Sequence, residues 1–460
     1  MLLLLIACVA AIALRERATG AVWASPPAAT AITLGALAAI ILITDITARR
    51  GLARMDRAGD LRAGLRALAT TRHARRAIVI AFGLCVWPIG WLDAVRDLVG
   101  NRILIDEALA IAPPLLAMLA TFASAHRIET RLHHATLLRQ LDAGTPIHAG
   151  PSLRTRLVLV IRQHYALVLV PVAIIATLAE SLDAAWPAMV ERWGPSRAEA
   201  IASTIEITIM LAMIALMPRF VRTIWGAKRL AAGPMRDAVL GAIQRAGGKL
   251  RRVYLWPTAG TQANGAIVGF IPGLRYLLLT DALLESFAGK HLDVVVAHEI
   301  GHVRRRHIPW LFVCIAAALL APSAAAAALQ IPATDSATTT VALASLVVAL
   351  TAFGAASRAF ELEADAYAAG VLARDEGSPV VTESAATITA ATLDRVASVN
   401  GASPRRWTFR HGSIVGRQRA VVALVGEPIL AGTARHRGRR VRTVAGATLV
   451  AAVTLLATIG

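Results

Sequence analysis

Nine apolar runs divide this chain, at 2–14, 29–45, 77–93, 104–124, 164–180, 200–217, 309–330, 338–357 and 443–460. Most reach the ~17–25 residues a helix needs to cross a bilayer. A spanning segment must satisfy its backbone polar groups internally, so such runs dictate helix. Composition agrees: 56% of residues are hydrophobic and 17% charged, where a soluble domain usually carries about 25% charged. A disordered chain is excluded and an ordinary soluble enzyme disfavoured. The first run spans only thirteen residues before Arg15. It reads as a short first span or as a signal-like segment, although no basic residue precedes it and no clear cleavage site follows. Pro113 and Pro114 predict a kink in the fourth run.

The charge balance is basic, with 48 Lys and Arg against 29 Asp and Glu, and only Lys228, Lys249 and Lys290 are lysine. Nucleic-acid binding is one reading of such a surplus. The other is the positive-inside rule, and the placement of the arginines favours it. Nine fall in 46–76 and six in 126–163, whereas 180–199 carries Glu180, Asp183, Glu191 and Glu199 against two arginines. Basic inner and acidic outer connections alternate, so no nucleic-acid partner is expected. The N-terminus, 219–308 and 358–442 are then cytoplasmic. Cys8, Cys85 and Cys314 all lie in apolar runs, which argues against disulfides and cysteine metal clusters.

The resulting layout is a membrane region over 1–218 with about six spans, a first cytoplasmic part over 219–308, a transmembrane hairpin over 309–357, a second cytoplasmic part over 358–442 and a terminal span over 443–460. Within the first part, Arg252–Trp256 and Tyr276–Thr280 read as strands, and the pattern turns helical from Leu283 to Arg306. The expected fold is a mostly α membrane protein of about nine transmembrane helices, with a small β-sheet against the active-site helix.

Chemistry concentrates at His298-Glu299-Ile300-Gly301-His302. On a helix, positions i and i+4 face the same way, so both imidazoles can reach one metal. The glutamate between them can take a proton from a water at that metal. A catalytic zinc site needs a third protein ligand. The hairpin returns the chain to the face it left, which brings Glu361 back beside His302. Asp365, four residues on, shares that helix face and can orient a ligand histidine. Glu363 points elsewhere on the helix. His307, five residues past His302, is expected to face away.

The stretches Leu279–Leu284, Val296–His302 with Arg306-His307, and Ser357-Arg358 through Glu361 to Asp365 together resemble the membrane zinc metallopeptidases that include HtpX and the CAAX prenyl proteases. The resemblance covers about 250–425. It implies a zincin-like catalytic unit with one Zn2+ per chain, His298, His302 and Glu361 as ligands, and Glu299 as the catalytic base. It also implies a role in membrane protein quality control. Asn264–Gly269 resembles the family's substrate-lining edge segment, with Gly265 in place of an alanine; the competing reading is an ordinary Asn-Gly hairpin turn. Arg410–Ile414 with Arg417 resembles a late His-Pro segment followed by arginine, with Gly412 in place of proline. On that reading His411 donates to the oxyanion, and Arg417 braces the site or meets substrate. Otherwise both are basic residues on a cytoplasmic face.

The function expected is that of an integral-membrane zinc metalloendopeptidase. Its partners would be the lipid bilayer and membrane-associated or unfolded polypeptides, reached from the cytoplasmic side of a bacterial inner membrane. The alternative is a non-catalytic, zinc-containing membrane scaffold or receptor. A transporter is a weaker third reading, since Glu206 is the main ionisable residue within a run.

Overall fold

The computed structural model describes residues 1–16, 22–142, 150–250, 252–269, 271–332, 334–429 and 433–459. Residues 143–149 of the basic connection at 126–163 and 430–432 of the second cytoplasmic part therefore lie outside the described residues. The chain divides into two units, Met1–Trp225 and Gly226–Gly460.

The described residues of the first unit are organised as helices. The main ones are Leu2–Glu16, Pro26–Ala58, Leu61–Leu84, Trp91–Val99, Ile105–Asp142, Ala166–Trp193 and Pro195–Ile224. Their ends follow local rules. Proline opens Pro26–Ala58, and the Asp60 carboxylate caps the next helix by accepting from the Ala63 N–H at 3.1 Å. Left-handed Gly59 stops the helix before it. The run expected at 77–93 is broken. Helix and a π-type turn carry it to Ile89, and Trp91–Val99 then leaves at 69°. Gly90 makes the break with φ 84°, where a Cβ would lie 2.7 Å from a Val22 methyl. By contrast, Ile105–Asp142 runs on through Pro113 and Pro114 as one helix. The acidic stretch at 180–199 is helical through Trp193 and turns at Gly194, rather than forming an open loop.

Among the described residues, seven helices are long and apolar enough to cross a membrane, or eight if the bent pair counts as one span. The first apolar run is the 15-residue helix Leu2–Glu16, about 22 Å long at helical rise against ~30 Å of hydrocarbon. Its Leu5, Cys8 and Ile12 pack into the first unit's core with Ile78, Phe82 and Trp91. Large apolar side chains such as Ile43, Ile80, Leu116 and Leu211 face outward, as they do on helices solvated by lipid. The chain is a mostly helical, multi-pass membrane protein.

The second unit adds a four-stranded sheet: β1 (Lys228–Arg229), β2 (Val253–Trp256), β3 (Gly265–Val268) and β4 (Tyr276–Thr280), in the order β1-β2-β4-β3. β4 is buried at all five positions, which explains its unbroken apolar sequence. It pairs parallel to β2 and antiparallel to β3, so β3 is an edge strand. Thus Asn264–Gly269 is not a hairpin turn but leads into and forms that edge. The sheet buries Leu277 and Leu279 against Val296, Ala297 and Ile300 of the motif helix, Lys290–Arg304. Ala368, Val371 and Leu372 of a 41-residue return helix, Asp335–Asp375, join the same core. The hairpin's outgoing helix is His307–Ala328, and the C-terminal helix, Thr433–Ile459, packs on it.

Candidate metal centre and active site

The motif helix and the return helix approach closely because residue 301 is glycine. A Cβ there would lie 3.1 Å from Tyr367 Cβ, an atom fixed to the return helix backbone. At that separation Glu361 reaches both histidines. The two Nε2 atoms of His298 and His302 stand 3.1 Å apart. Glu361 Oε2 is 3.7 Å from His298 Nε2, and its Oε1 is 3.6 Å from His302 Nε2. Two ligands each ~2.0–2.1 Å from one tetrahedral ion would be separated by about 3.3 Å. Spacing and donor chemistry, two imidazoles and a carboxylate, therefore fit a divalent metal, and the three residues form a cluster able to hold one.

His298 Nδ1 lies 2.9 Å from Asp365 Oδ1, which leaves its Nε2 lone pair turned to the cluster. Burial pulls the His298 pKa down, but the hydrogen bond and charge of Asp365 outweigh it and the net shift is upward. His302 is held well below its usual range, first by burial and then by the neighbouring His298. A neutral imidazole is the form that binds metal.

Arg417 comes from the helix Ile414–Val422, which Ser413 caps by accepting from the Gly416 N–H at 3.1 Å. Its Nε and Nη2 donate to Asp365 at 2.7 and 2.6 Å, and Nη1 lies 3.0 Å from Glu361 Oε2. Burial lowers its pKa, yet these two carboxylates more than reverse that. The side chain is buried and engages two acidic residues of the site, Asp365 and Glu361, the bracing arrangement that was one of its two expected roles. His411 is about half exposed, with Nδ1 3.1 Å from Glu361 Oε2. Gly412 after it has φ 70°, which a proline ring cannot adopt, so the departure from His-Pro reflects a different turn.

Glu299 lies between the cluster and β3. A Cβ on Gly265 would sit 3.5 Å from Glu299 Cγ. Burial raises its pKa, the Glu361 charge adds to this, and His298 and the Ile267 backbone N–H partly offset it. Asn264 is half-buried at the entry to β3, where its carbonyl accepts from the Thr280 N–H at 3.0 Å.

Two groups escaped the reading of the sequence. The Asn400 amide holds the residue before Asn264 on both sides: Oδ1 accepts from the Ala263 N–H at 3.0 Å, and Nδ2 donates to the Ala263 carbonyl at 2.9 Å. His307 does not face away. Arg306 takes a left-handed conformation, φ 55°, which breaks the helix and turns His307 back onto His302 with the two Nδ1 atoms 2.8 Å apart. The Arg304-Arg305-Arg306 run ahead of an apolar helix was the one local hint of that break.

The description of peptidase family M48 matches residues 234–424, which take in the sheet, the motif helix, the hairpin and Arg417. Over that segment the chain is similar to peptidase family M48, in agreement with the membrane metallopeptidases that its motifs resemble. Among solved structures it is similar to S. mikatae Ste24p, at 12% identity and a TM-score of 0.46, over 85% of this chain and 98% of that one. No curated protein matches the chain.

Proposed function

We propose that the protein is a zinc-dependent endopeptidase that cleaves membrane-associated or unfolded polypeptides from the cytoplasmic side of a bacterial inner membrane. The observation that carries the reading is the convergence of His298, His302 and Glu361 beside Glu299 and an open sheet edge. When bound by these three ligands, zinc would supply a Lewis acid for the scissile carbonyl and for the attacking water. Glu299 takes the proton from that water and hands it to the leaving amine. β3 offers backbone hydrogen bonds to an extended peptide, with Asn264 at its start, and pairing of this kind fits unfolded segments of many sequences. His411, at the exposed rim, donates to the developing oxyanion. Asp365 holds His298 in the tautomer that metal binding requires.

The test measures zinc content and peptide turnover in parallel. Glu299→Gln should keep about one zinc per chain and lose at least ~10²-fold in activity, the low end for a general base. Wild-type turnover in that variant would defeat the mechanism. Zinc without turnover in the wild type as well would favour the scaffold reading.

The cytoplasmic placement rests on the arginine-rich stretches at 46–76 and 126–163. The three native cysteines are buried, so single introduced cysteines report cleanly. An impermeant reagent applied outside should label Glu191→Cys and spare Arg62→Cys; the reverse pattern would put the active site on the other face.

A further inference from the structure

His307 lies in contact with a ligand of the cluster but stands outside it. Its ring stacks on Phe360 with centroids 4.5 Å apart and planes 3° from parallel. One nitrogen, Nδ1, meets His302 Nδ1 at 2.8 Å, and the other, Nε2, meets Glu363 Oε2 at 3.1 Å. His307 and Glu363 are 1% and 2% exposed, so neither can exchange its partner for water. Arg442, on the C-terminal helix, donates to both Glu363 oxygens at 2.9 and 3.1 Å. One turn earlier on that helix stands Gly438, where a Cβ would lie 2.1 Å from Glu363 Oε2. The carboxylate therefore rests against bare helix backbone, and a side chain at 438 would displace it.

We propose that His307 is the positioning residue for ligand His302, and that Glu363, Arg442 and Gly438 tie it to the C-terminal helix. The inference rests on the reading of His298, His302 and Glu361 as a metal site. Proton placement along the relay has one consistent solution. A ligand imidazole that uses Nε2 carries its proton on Nδ1. His302 then donates to His307 Nδ1, the His307 proton sits on Nε2, and Glu363 accepts it. Arg442 fixes Glu363 as a charged acceptor. A twist of the His302 ring would break this first bond, so the relay holds Nε2 on the cluster. The C-terminal helix thus takes part in metal binding without supplying a ligand.

The experiment measures zinc affinity of the full chain in detergent, by competition with a chromophoric chelator. Four variants are compared with the wild type: His302→Ala, His307→Phe, His307→Asn and Gly438→Ala. His307→Phe keeps the stack on Phe360 and removes the acceptor; it should weaken binding by about 10–100-fold, as loss of an outer partner of a ligand does. His307→Asn keeps an acceptor near the Nδ1 position and gives up the stack; it should bind more tightly than His307→Phe. Gly438→Ala touches no ligand and should also weaken binding, by displacing Glu363. If the Phe variant binds like the wild type, or the Asn variant binds no better than the Phe variant, the positioning role is overturned while the loss in His302→Ala keeps the metal reading standing. If the wild type binds zinc no more tightly than His302→Ala, the metal reading itself falls, and the relay with it.

Discussion

The two histidines of the cluster occupy one face of one helix, yet they are held differently. His298 leans directly on a carboxylate, Asp365. His302 leans on a second imidazole, His307, and only through it on a carboxylate, Glu363. Each arm ends in a carboxylate held by both oxygens to an arginine, Arg417 in one case and Arg442 in the other. The difference follows from helix geometry. Asp365 is four residues past Glu361 and shares its face, whereas Glu363 is two residues past it and lies about 200° around the axis. A residue on the far face can serve the cluster only through an intermediary. Burial makes the arginines necessary, since an unpaired carboxylate in such a setting would neutralise itself by taking up a proton.

This comparison can be broken most directly at the ligands. His298→Ala and His302→Ala should each abolish tight zinc binding and activity together, because two remaining protein ligands fall short of the three of a catalytic site. Full zinc occupancy in either variant, by metal analysis of the purified protein, would show that its arm does not end on a metal ligand. A smaller effect is expected at the shorter arm's support. Asp365→Asn removes the charge opposite Arg417 and should weaken zinc binding by about 10–100-fold. An affinity unchanged in the chelator competition would mean that the direct carboxylate contributes nothing to ligand placement. The smallest effect concerns the spacing that both arms share. Gly301→Ala puts a methyl group against Tyr367 Cβ, and thermal unfolding should show a loss of about 1–3 kcal/mol, the range for overpacking a close contact. A variant as stable as the wild type would mean that the two helices part easily and that glycine is not what sets their distance.

Much of this arrangement was legible in the sequence because it is periodic and local. The nine apolar runs correspond to helices, since length and hydropathy alone decide which segments suit a bilayer. The i, i+4 spacings of His298 with His302 and of Glu361 with Asp365 declare shared faces before any tertiary contact is known. β4 was legible because a strand buried on both sides is apolar throughout. β1 was not, because two charged residues carry no alternation, and β3 was legible only through the resemblance of Asn264–Gly269 to an edge segment, since a glycine-led edge carries no alternation either. The nearness of Glu361 to the histidines followed from the hairpin's connectivity, but its distance did not, since that depends on Gly301 meeting Tyr367.

Tertiary structure alone decided the supports other than Asp365 and Arg417. Helical periodicity carried past residue 304 would turn His307 away from the site; the left-handed Arg306 resets the phase, and backbone strain of that kind leaves no mark in spacing. Asn400 meets Ala263 across 137 residues, and Arg442 meets Glu363 across 79. Neither has a neighbour in sequence that predicts its partner. Ligands are legible because a metal demands particular side chains at helical spacing. Supports such as His307, Asn400 and Arg442 are not, because any donor or acceptor of the right reach can fill the role, and only the packed fold determines which one arrives.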